Sequence, residues 1–323
     1  AAQQYIARAL TDPQAPLEVR RWSLRMLRPD HPALSITRLQ AFLASGDAGL
    51  QLEAVRTLRE SPHGERIALL RQIAADAGSP TRLRAESVAG LSPDDATSRR
   101  LLIELAQSRD RPLRDEALRS LRGASLDPSE RNVLAKVVDG DGTNELVARV
   151  LRPNESPPRP AAGDLPGWLK FVGGGAGSPA GDAEAGERIF FNRRSAGCSK
   201  CHQMLGRGAR VGPELTATSG GLSRTRLIES IVRPGQEIAP QFASWLLVTT
   251  DGKSFSGVLV NEEATGEQTY ADQDGQLRRF TPREIEARKL QATSIMPDGL
   301  AHLLTAEEFR DLLAYLVQQE AAR

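Results

Sequence analysis

Two cysteines and a histidine lie close together in the chain, in the order Cys198, Cys201 and His202. They are the only two cysteines among 323 residues, and the histidine follows the second one directly. Thiols and an imidazole can ligate a metal ion, exchange a disulfide or hold a prosthetic group covalently. This C-x-x-C-H motif, in "SAGCSKCHQMLGRGARVGPEL", is therefore the first candidate for chemistry, and three kinds of site compete for it.

A zinc site or a redox site fits the surrounding sequence poorly. Structural zinc usually takes four ligands, commonly with a second Cys or His pair, but no third cysteine is present and His31, His63 and His302 are scattered singly. A redox C-x-x-C is expected to open a helix in a β-α-β unit. Here the motif follows a predicted helix and precedes the glycine-rich "GRGARVGP". We therefore expect neither zinc nor a catalytic or structural disulfide.

Covalent attachment of one haem, as haem c, fits the motif better. Cys198 and Cys201 would form thioethers with the two porphyrin vinyl groups, and the imidazole of His202 would lie under the iron. The order is physically required, because two tethers fix the ring and the next residue must reach its centre. The motif thus predicts a haem-binding segment with His202 as a metal ligand.

A second axial ligand is needed on the opposite face, and the chain has three methionines. Met26 lies in the first of the repeats described below, where we expect a packed helical residue. Met204 follows His202 by two positions, too close to pass round the porphyrin edge. Met296, in "TSIMPDGL", lies in a loop before the last helix, and the proline after it stiffens the backbone. We predict Met296 as the ligand, with His302 as the next candidate; the alternative for Met296 is an ordinary core methionine.

The segments on either side of these residues predict two helices. "DAEAGERIFF" has Asp182 in the N-cap position. "TAEEFRDLLAYLVQQ", near the end of the chain, has Thr305 and Glu308 at the spacing of a capping box. The haem-binding residues are therefore expected to lie between an early and a late helix of one domain.

A strand-rich block lies between these helices, at about 241–290. Two apolar and β-branched runs flank Asp251-Gly252, and a second pair of runs flanks Asp274-Gly275. Asp-Gly between such runs is the strongest short-range signal of a hairpin. The block therefore predicts an antiparallel β-meander inserted into the haem-binding domain.

The first half of the chain carries an internal repeat. Segments such as "LQLEAVRTL" and "LRDEALRSL" recur at spacings of 31, 33, 30 and 30 residues, and they end at Leu27, Leu58, Leu91, Leu121 and Leu151. Other amphipathic segments with apolar residues at helical spacing lie between them. Each unit is a predicted helix pair, and pairs of this size must stack to bury their apolar faces, which predicts an α-solenoid over residues 1–153.

A Pro- and Gly-rich stretch without periodicity, 154–180, predicts a linker. It contains one apolar island around Trp168, which we expect to seal the end of the solenoid; docking on a neighbouring domain is the alternative. The sequence thus divides into a repeat domain at 1–153, the linker, and a haem-binding domain at 181–323. The predicted fold class is mainly α, with the β-meander as an insertion.

Composition indicates neither nucleic acid nor a membrane as a partner. The chain has 40% apolar residues, 26% charged residues and a formal charge of +1, as in an ordinary soluble globular protein. No run approaches the roughly 18 apolar residues of a membrane-spanning helix. The opening residues, "AAQQYIARAL", contain no initiator methionine and no signal core, so we expect a processed product or part of a longer polypeptide.

The region from about Gly181 to Gln318 resembles class I cytochrome c. It is most similar to the haem-binding domain at the end of large multidomain proteins of Planctomycetes and Verrucomicrobia, through "GERIFF", "CSKCHQ", "VGPEL", "SRTRLIESIVRPGQEIAP", "DGKSFSGVLV", "SIMPDGL" and "FRDLLAYL". The repeats of the first half resemble HEAT repeats, although HEAT units often run longer, to about 40 residues or more.

The resemblance implies roles for further residues. Pro213 matches the proline whose carbonyl accepts a hydrogen bond from the proximal imidazole and so orients His202, and Leu215 matches a residue packed on the haem. The strand-rich block departs from a simple cytochrome c and places Met296 94 positions after His202. The expected cofactor-binding residues are Cys198, Cys201, His202, Pro213, Leu215 and Met296, with His202 and Met296 on the iron.

The resemblance also implies a crossing of two helices. Gly186 and Phe190 match the small and aromatic pair that crosses the last helix at Leu312 and Tyr315. A glycine at such a crossing lets two helices approach closely. We expect this contact to be structural.

Histidine and methionine on opposite faces leave the iron no vacancy for substrate or dioxygen, so we expect an electron carrier that is not catalytic by itself. The alternatives are a haem peroxidase or sensor with a labile sixth ligand, and a solenoid interaction scaffold with a structural haem. The resemblance implies an exported, periplasmic protein that forms the carboxy-terminal part of a larger quinone-dependent dehydrogenase. Its redox partners would be a dehydrogenase domain as donor and a respiratory acceptor.

Overall fold

A computed structural model describes most of the chain, over residues 2–137, 144–155, 157–173, 180–218 and 221–318. These ranges contain fifteen α-helices, a five-stranded antiparallel sheet and a two-stranded one, so helix is the commonest regular structure among them, which is compatible with a mainly-α class. It divides into two compact units, Ala1–Pro157 and Pro158–Arg323. No helix within the described ranges is long and apolar enough to cross a bilayer.

The first unit is helical throughout the elements described. Its helices are α1 (Ala2–Thr11), α2 (Leu17–Met26), α3 (Ile36–Leu43), α4 (Ala48–Glu60), α5 (Arg66–Ala75), α6 (Thr81–Val88), α7 (Ala96–Leu105), α8 (Arg111–Ser120), α9 (Pro128–Ala135) and α10 (Asn144–Leu151). Successive helices pack in pairs, α1 with α2 through to α9 with α10, and each even-numbered helix packs against the next even-numbered one. The repeated segments lie in, or end directly after, the even-numbered helices.

The repeated leucines form part of the core of the first unit. Leu58 and Leu121 are fully buried, Leu27 and Leu91 are nearly so, and Leu151 is half-buried against the same cluster. Full burial of such a side chain contributes roughly 1.5–3 kcal/mol. The period seen in the sequence is therefore the length of one helix pair, and each pair places one of these leucines in a shared core.

Side-chain caps explain where several of these helices begin. Asp47, Asp95 and Asp110 accept backbone N–H groups in the first turns of α4, α7 and α8. Asp127 does the same for α9 and forms a capping box with Glu130. Such caps satisfy N–H groups that have no partner inside the helix.

The second unit combines helices with strands. Its helices are α11 (Leu165–Phe171), α12 (Ala183–Phe190), α13 (Leu215–Thr218), α14 (Arg224–Val232) and α15 (Ala306–Gln318). Its strands are β1 (Gln203–Met204), β2 (Arg207–Gly208), β3 (Ser244–Thr249), β4 (Ser254–Glu262), β5 (Gln268–Ala271), β6 (Leu277–Phe280) and β7 (Ile285–Leu290). Short 3-10 turns occur at Cys198–Lys200, Pro240–Phe242 and Leu300–Leu303.

Helices α12 and α15 pack against each other, and both of their predicted caps are confirmed. Asp182 accepts the N–H groups of residues 184 and 185 at the start of α12. The N–H of Thr305 donates to the Glu308 carboxylate at 2.8 Å, and the N–H of Glu308 donates to the Thr305 hydroxyl at 3.1 Å. The reciprocal pair is the capping box that the sequence indicated.

The expected crossing of these two helices is present. A Cβ added to Gly186 would lie 2.0 Å from the carbonyl oxygen of Asp311, so only glycine allows this approach. The rings of Phe190 and Tyr315 are 5.8 Å apart, and Leu312 is buried beside them. The backbones of the two helices therefore approach closely at Gly186, and the rings of Phe190 and Tyr315 pack together one turn away.

Strands β3 to β7 form one antiparallel sheet in the order β6-β5-β4-β3-β7. Both Asp-Gly hairpins are confirmed, with φ of 78° at Gly252 and 74° at Gly275, values that suit glycine. The block is not a simple meander, however, because β7 leaves β6 and returns to pair with β3. This return brings the segment after β7 to Ser244, the first residue of β3.

The stretch predicted as a linker is partly folded. Residues 165–171 form α11, which Asp164 caps by accepting the N–H of Gly167. Trp168 is fully buried in the core of the second unit, with its ring 6.0 Å from that of Phe309. The expectation that Trp168 seals the end of the repeats is therefore wrong, and the docking alternative describes the structure.

Candidate functional site

The cysteine and histidine motif lies on the 3-10 turn Cys198–Lys200, which follows Gly197. Gly197 has a φ of 63°, a left-handed conformation that glycine adopts without a steric penalty. The N–H of His202 donates to the carbonyl of Cys198 at 2.9 Å. The turn thereby holds both thiols and the imidazole on one tightly hydrogen-bonded segment.

The imidazole of His202 has a fixed protonation pattern. Its Nδ1 lies 2.9 Å from the carbonyl oxygen of Pro213, and because a carbonyl only accepts, Nδ1 carries the proton. Burial lowers the pKa of His202, and the bond to Pro213 opposes that shift, so the ring is neutral at pH 7. Nε2 then has a free lone pair and is the nitrogen available to a metal.

Gly212 lies against the same ring. A Cβ at this position would come within 2.7 Å of Cε1 of His202, closer than two carbons approach. The N–H groups of Val211 and Gly212 donate to the carbonyl of Cys201 at 2.9 and 2.8 Å, which holds this backbone beside the imidazole. Gly212 was not among the predicted site residues, and its only signal in the sequence is its place directly before Pro213.

A small hairpin joins His202 to Gly212, where the sequence showed only a glycine-rich stretch. Strands β1 and β2 pair through a turn at Leu205 and Gly206, with φ of 50° and 82°. A Cβ at Gly208, whose φ is 98°, would lie 2.2 Å from the carbonyl oxygen of His202. The glycines therefore let the chain fold back tightly enough to bring Pro213 to the imidazole.

Both cysteines are free thiols of intermediate exposure. Burial raises the pKa of Cys198 to about 12. Burial also raises the pKa of Cys201; the charge of Lys200 opposes this shift and the nearby carboxylates of Asp272 and Asp274 add to it. The pKa values of both thiols are therefore raised, and the thiols are protonated at neutral pH while no group is bound to them.

The turn between β5 and β6 contacts the segment that carries the two cysteines. No local sequence pattern indicates this contact. A Cβ at Gly275 would lie 2.3 Å from the carbonyl oxygen of Lys200. The carboxylates of Asp272 and Asp274 belong to the same turn and act on Cys201. One end of the inserted sheet is therefore in contact with the segment that carries the thiols.

The remaining candidates lie at different depths. Leu215 and Cys198 are half-buried and pack on one apolar core, in which Met204 is fully buried. His302 is exposed, as expected of a surface residue. Met26 was expected to be packed, but it is 43% exposed on α2, because Leu24 and Leu27 provide the buried side of this helix instead.

Met296 lies in the loop between β7 and the 3-10 turn Leu300–Leu303, and it is half-buried. Its N–H donates to the hydroxyl of Ser294 at 3.1 Å. The start of the loop is held by Ser244, whose hydroxyl donates to the carbonyl of Thr293 at 2.7 Å. The loop is therefore tied to the sheet, and the assignment of Met296 as a ligand stays a prediction.

The donor set fits what haem c requires of a protein. A porphyrin supplies the equatorial nitrogen ligands itself, so the chain must supply two thiols and the axial ligands. Cys198, Cys201 and Nε2 of His202 are present on one segment, and Gly212 packs its backbone against the imidazole, where a side chain would not fit. Within the described ranges, no group of three or more His, Cys, Asp or Glu side chains is placed to hold a metal ion.

Comparison of the chain with protein-family models gave no match, and comparison with curated proteins gave no significant match.

Proposed function

We propose that this chain binds one haem c covalently and transfers electrons. The observation that carries the proposal is the bond between Nδ1 of His202 and the carbonyl of Pro213, on the segment that also holds two free thiols. That bond orients the ring and leaves Nε2 as its only metal-binding atom. Within the described part of the chain, no group of three or more His, Cys, Asp or Glu side chains is placed to hold a zinc ion, which favours haem attachment over zinc.

The residues have separate tasks in this proposal. Cys198 and Cys201 would hold the group covalently: each thiol would add across one vinyl group, with its sulfur on one carbon and its proton on the neighbouring carbon. His202 binds through Nε2, Pro213 fixes its tautomer, and Leu215 covers apolar surface. When bound, the group supplies a one-electron ferric and ferrous couple. Met296 would complete the coordination and exclude other ligands, which favours electron transfer over catalysis.

The wider context is also proposed. The stacked helix pairs of the first unit suit a HEAT-like solenoid, whose role would be to bind a partner protein. The second unit suits a cytochrome c domain with an inserted sheet. We further propose that the protein works in the periplasm, as the electron-accepting part of a larger quinone-dependent dehydrogenase that passes electrons to a respiratory acceptor. Haem-loaded protein found only in the cytosol would contradict this location.

Attachment of haem is tested by expression in a bacterial host that matures c-type cytochromes. The intact mass should equal the sum of the chain and one haem, because thioether formation loses no atom. Haem staining should survive denaturing electrophoresis. Cys198→Ser and Cys201→Ser should each leave one thioether, and the double variant should lose the stain; a stain that disappears from the parent on acid-acetone extraction rules out covalent attachment.

Axial ligation is tested by spectroscopy of the oxidised protein. If Met296 is the ligand, the parent shows a weak far-red sulfur-to-iron charge-transfer band, which Met296→Ala abolishes while lowering the reduction potential, since a thioether favours ferrous iron. Met26→Leu, at an exposed position in the first unit, is the matched control and should retain the band. Loss of the low-spin spectrum in His302→Ala but not in Met296→Ala would reassign the ligand.

A further inference from the structure

Residues 158–173, which we term the bracing segment, pack against the 3-10 turn Leu300–Leu303, which follows the Met296 loop. Trp168 is a fully buried side chain of this segment, and its indole N–H donates to the carbonyl of Ala161 at 3.0 Å. This bond satisfies the one polar atom of the indole inside the segment. The remaining ring surface is left to pack on the rest of the second unit.

That surface packs on the turn Leu300–Leu303. The ring of Trp168 is 5.7 Å from the ring of His302, and Ala301 is buried in the same core. Arg159 donates from Nη2 to the carbonyl of Leu304 at 2.9 Å, while its guanidinium lies 4.6 Å from the centre of the Phe171 ring. The bracing segment thus holds both the middle and the end of the turn that follows the Met296 loop.

The bracing segment is itself anchored on two other helices. Arg310 of α15 donates to the carbonyl of Val172 at 3.1 Å, and Arg224 at the start of α14 donates to the same oxygen at 3.3 Å. Two guanidinium groups at the carboxyl end of α11 also complement the partial negative charge of that helix end. The turn therefore packs on a segment that is hydrogen-bonded to both α14 and α15.

The loop has open space on another side. A cleft of about 490 Å³ lies beside it, lined by Trp168, Val232, Arg233, Asp298, Gly299 and His302. Gly299, with φ of 80°, connects the loop to the turn. A shorter side chain at residue 168 would enlarge this cleft, and the loop would have room to move away from the rest of the domain.

We propose that Trp168 is a positioning residue for the Met296 loop, and that it sets how readily the sixth coordination position opens. The loop is tied at its start by Ser244 and at its end by the bracing segment. The first anchor is a hydrogen bond to the sheet, whereas the second combines the packing of the Trp168 ring with the hydrogen bond from Arg159. The inference rests on the proposed function, because it assumes that Met296 is the ligand.

The test measures binding of free imidazole to the oxidised, haem-loaded full chain. Imidazole must displace Met296, so its apparent affinity rises with the fraction of molecules whose loop is open. Trp168→Ala should tighten imidazole binding by about tenfold. In a titration toward high pH, the midpoint at which the far-red band is lost should lie at a lower pH than in the parent. Trp168→Phe should restore part of the parent behaviour.

A control separates this role from general destabilisation. Phe280→Ala removes a buried aromatic ring from the separate core of the sheet, on the strand farthest from β7. It should lower the melting temperature and leave the imidazole affinity unchanged. If Phe280→Ala tightens imidazole binding as much as Trp168→Ala does, or if Trp168→Ala has no effect, the positioning role is overturned.

Two further outcomes are decisive. If Trp168→Ala does not fold, Trp168→Phe and Arg159→Gln replace it, and both must tighten imidazole binding for the inference to stand. A parent with a far-red band that depends on Met296, together with unchanged variants, refutes the inference while the proposed function survives. A parent without that band refutes the ligand assignment, and the inference falls with it.

Discussion

At the residue scale, the chemistry depends on which nitrogen of one imidazole is free. Pro213 determines this through a single hydrogen bond of 2.9 Å to Nδ1. Gly212, which has no side chain, leaves room for the ring in the orientation that this bond requires. Both residues lie at least ten positions after His202, and the β1 and β2 hairpin brings them back to it. The free lone pair of Nε2 is therefore a product of the backbone path and not of the motif alone.

Gly212→Ala should disturb the site without removing any donor. The added methyl group would meet the imidazole at 2.7 Å, and relieving such overlap costs about 1–3 kcal/mol. We expect the ring to rotate away from Pro213, with a weakened low-spin spectrum and a raised reduction potential, because an imidazole without its bond to the Pro213 carbonyl donates less to ferric iron. Gly235→Ala, where a Cβ meets nothing within 4 Å, is the control; equal spectra for the two variants would contradict the steric role of Gly212.

At the element scale, the contact between α12 and α15 depends on one missing side chain. Gly186→Ala places a methyl group 2.0 Å from the carbonyl of Asp311 and 2.8 Å from Cβ of Tyr315. In a free helix this change would gain about 0.5–1 kcal/mol, so any loss of stability reports the crossing. We expect a loss of about 1–3 kcal/mol or more, seen as a lower melting temperature; Gly163→Ala, in open space, should change little.

The capping aspartates make the folding stability of the first unit depend on pH in the acid range. Hydrogen bonds from the Ser98 hydroxyl and its N–H lower the pKa of Asp95, and the N–H of Glu130 with the Ser129 hydroxyl lowers the pKa of Asp127. Their folded-state pKa values lie below the unfolded value of about 3.9. The stabilisation is therefore complete above that pH and is lost as pH falls through the folded-state values.

This acid dependence can be measured from melting temperatures between about pH 6 and pH 3. In the double variant Asp95→Asn and Asp127→Asn, asparagine still caps each helix but does not titrate. The decline of the melting temperature should therefore be shallower than in the parent. A double variant with the parent slope would show that the caps do not cause the acid sensitivity.

Local signals predicted much of the fold and part of the candidate site. The spacing of leucines and the Asp-Gly pairs depend on neighbours in sequence, and the helices and hairpins appear where these signals indicated. The pairing of β7 with β3, the burial of Trp168 and the contact of Gly275 with Lys200 join distant residues. No local pattern encodes such contacts, because the partner of each residue is chosen by packing.

At the scale of the whole molecule, the boundary between the two units lies before the bracing segment, at residues 157 and 158. The sequence placed the start of the second domain at 181, which would leave Trp168 outside it. A fragment of 158–323 should therefore keep the haem spectrum and the melting temperature of the second unit. A fragment of 181–323 should melt lower, because it lacks the buried indole; equal melting temperatures would restore the boundary at 181.

The crossing of α12 and α15 brings an early and a late helix of the second unit into contact, at Gly186 and Asp311. A break at the exposed Asp251-Gly252 turn would therefore yield two complementary pieces, each with one of these helices. The first piece would contain His202 and the second Met296. Binding of one iron by both ligands would then stabilise the reassociated pieces, so the affinity of the two pieces for each other would be higher with the metal centre bound than without it.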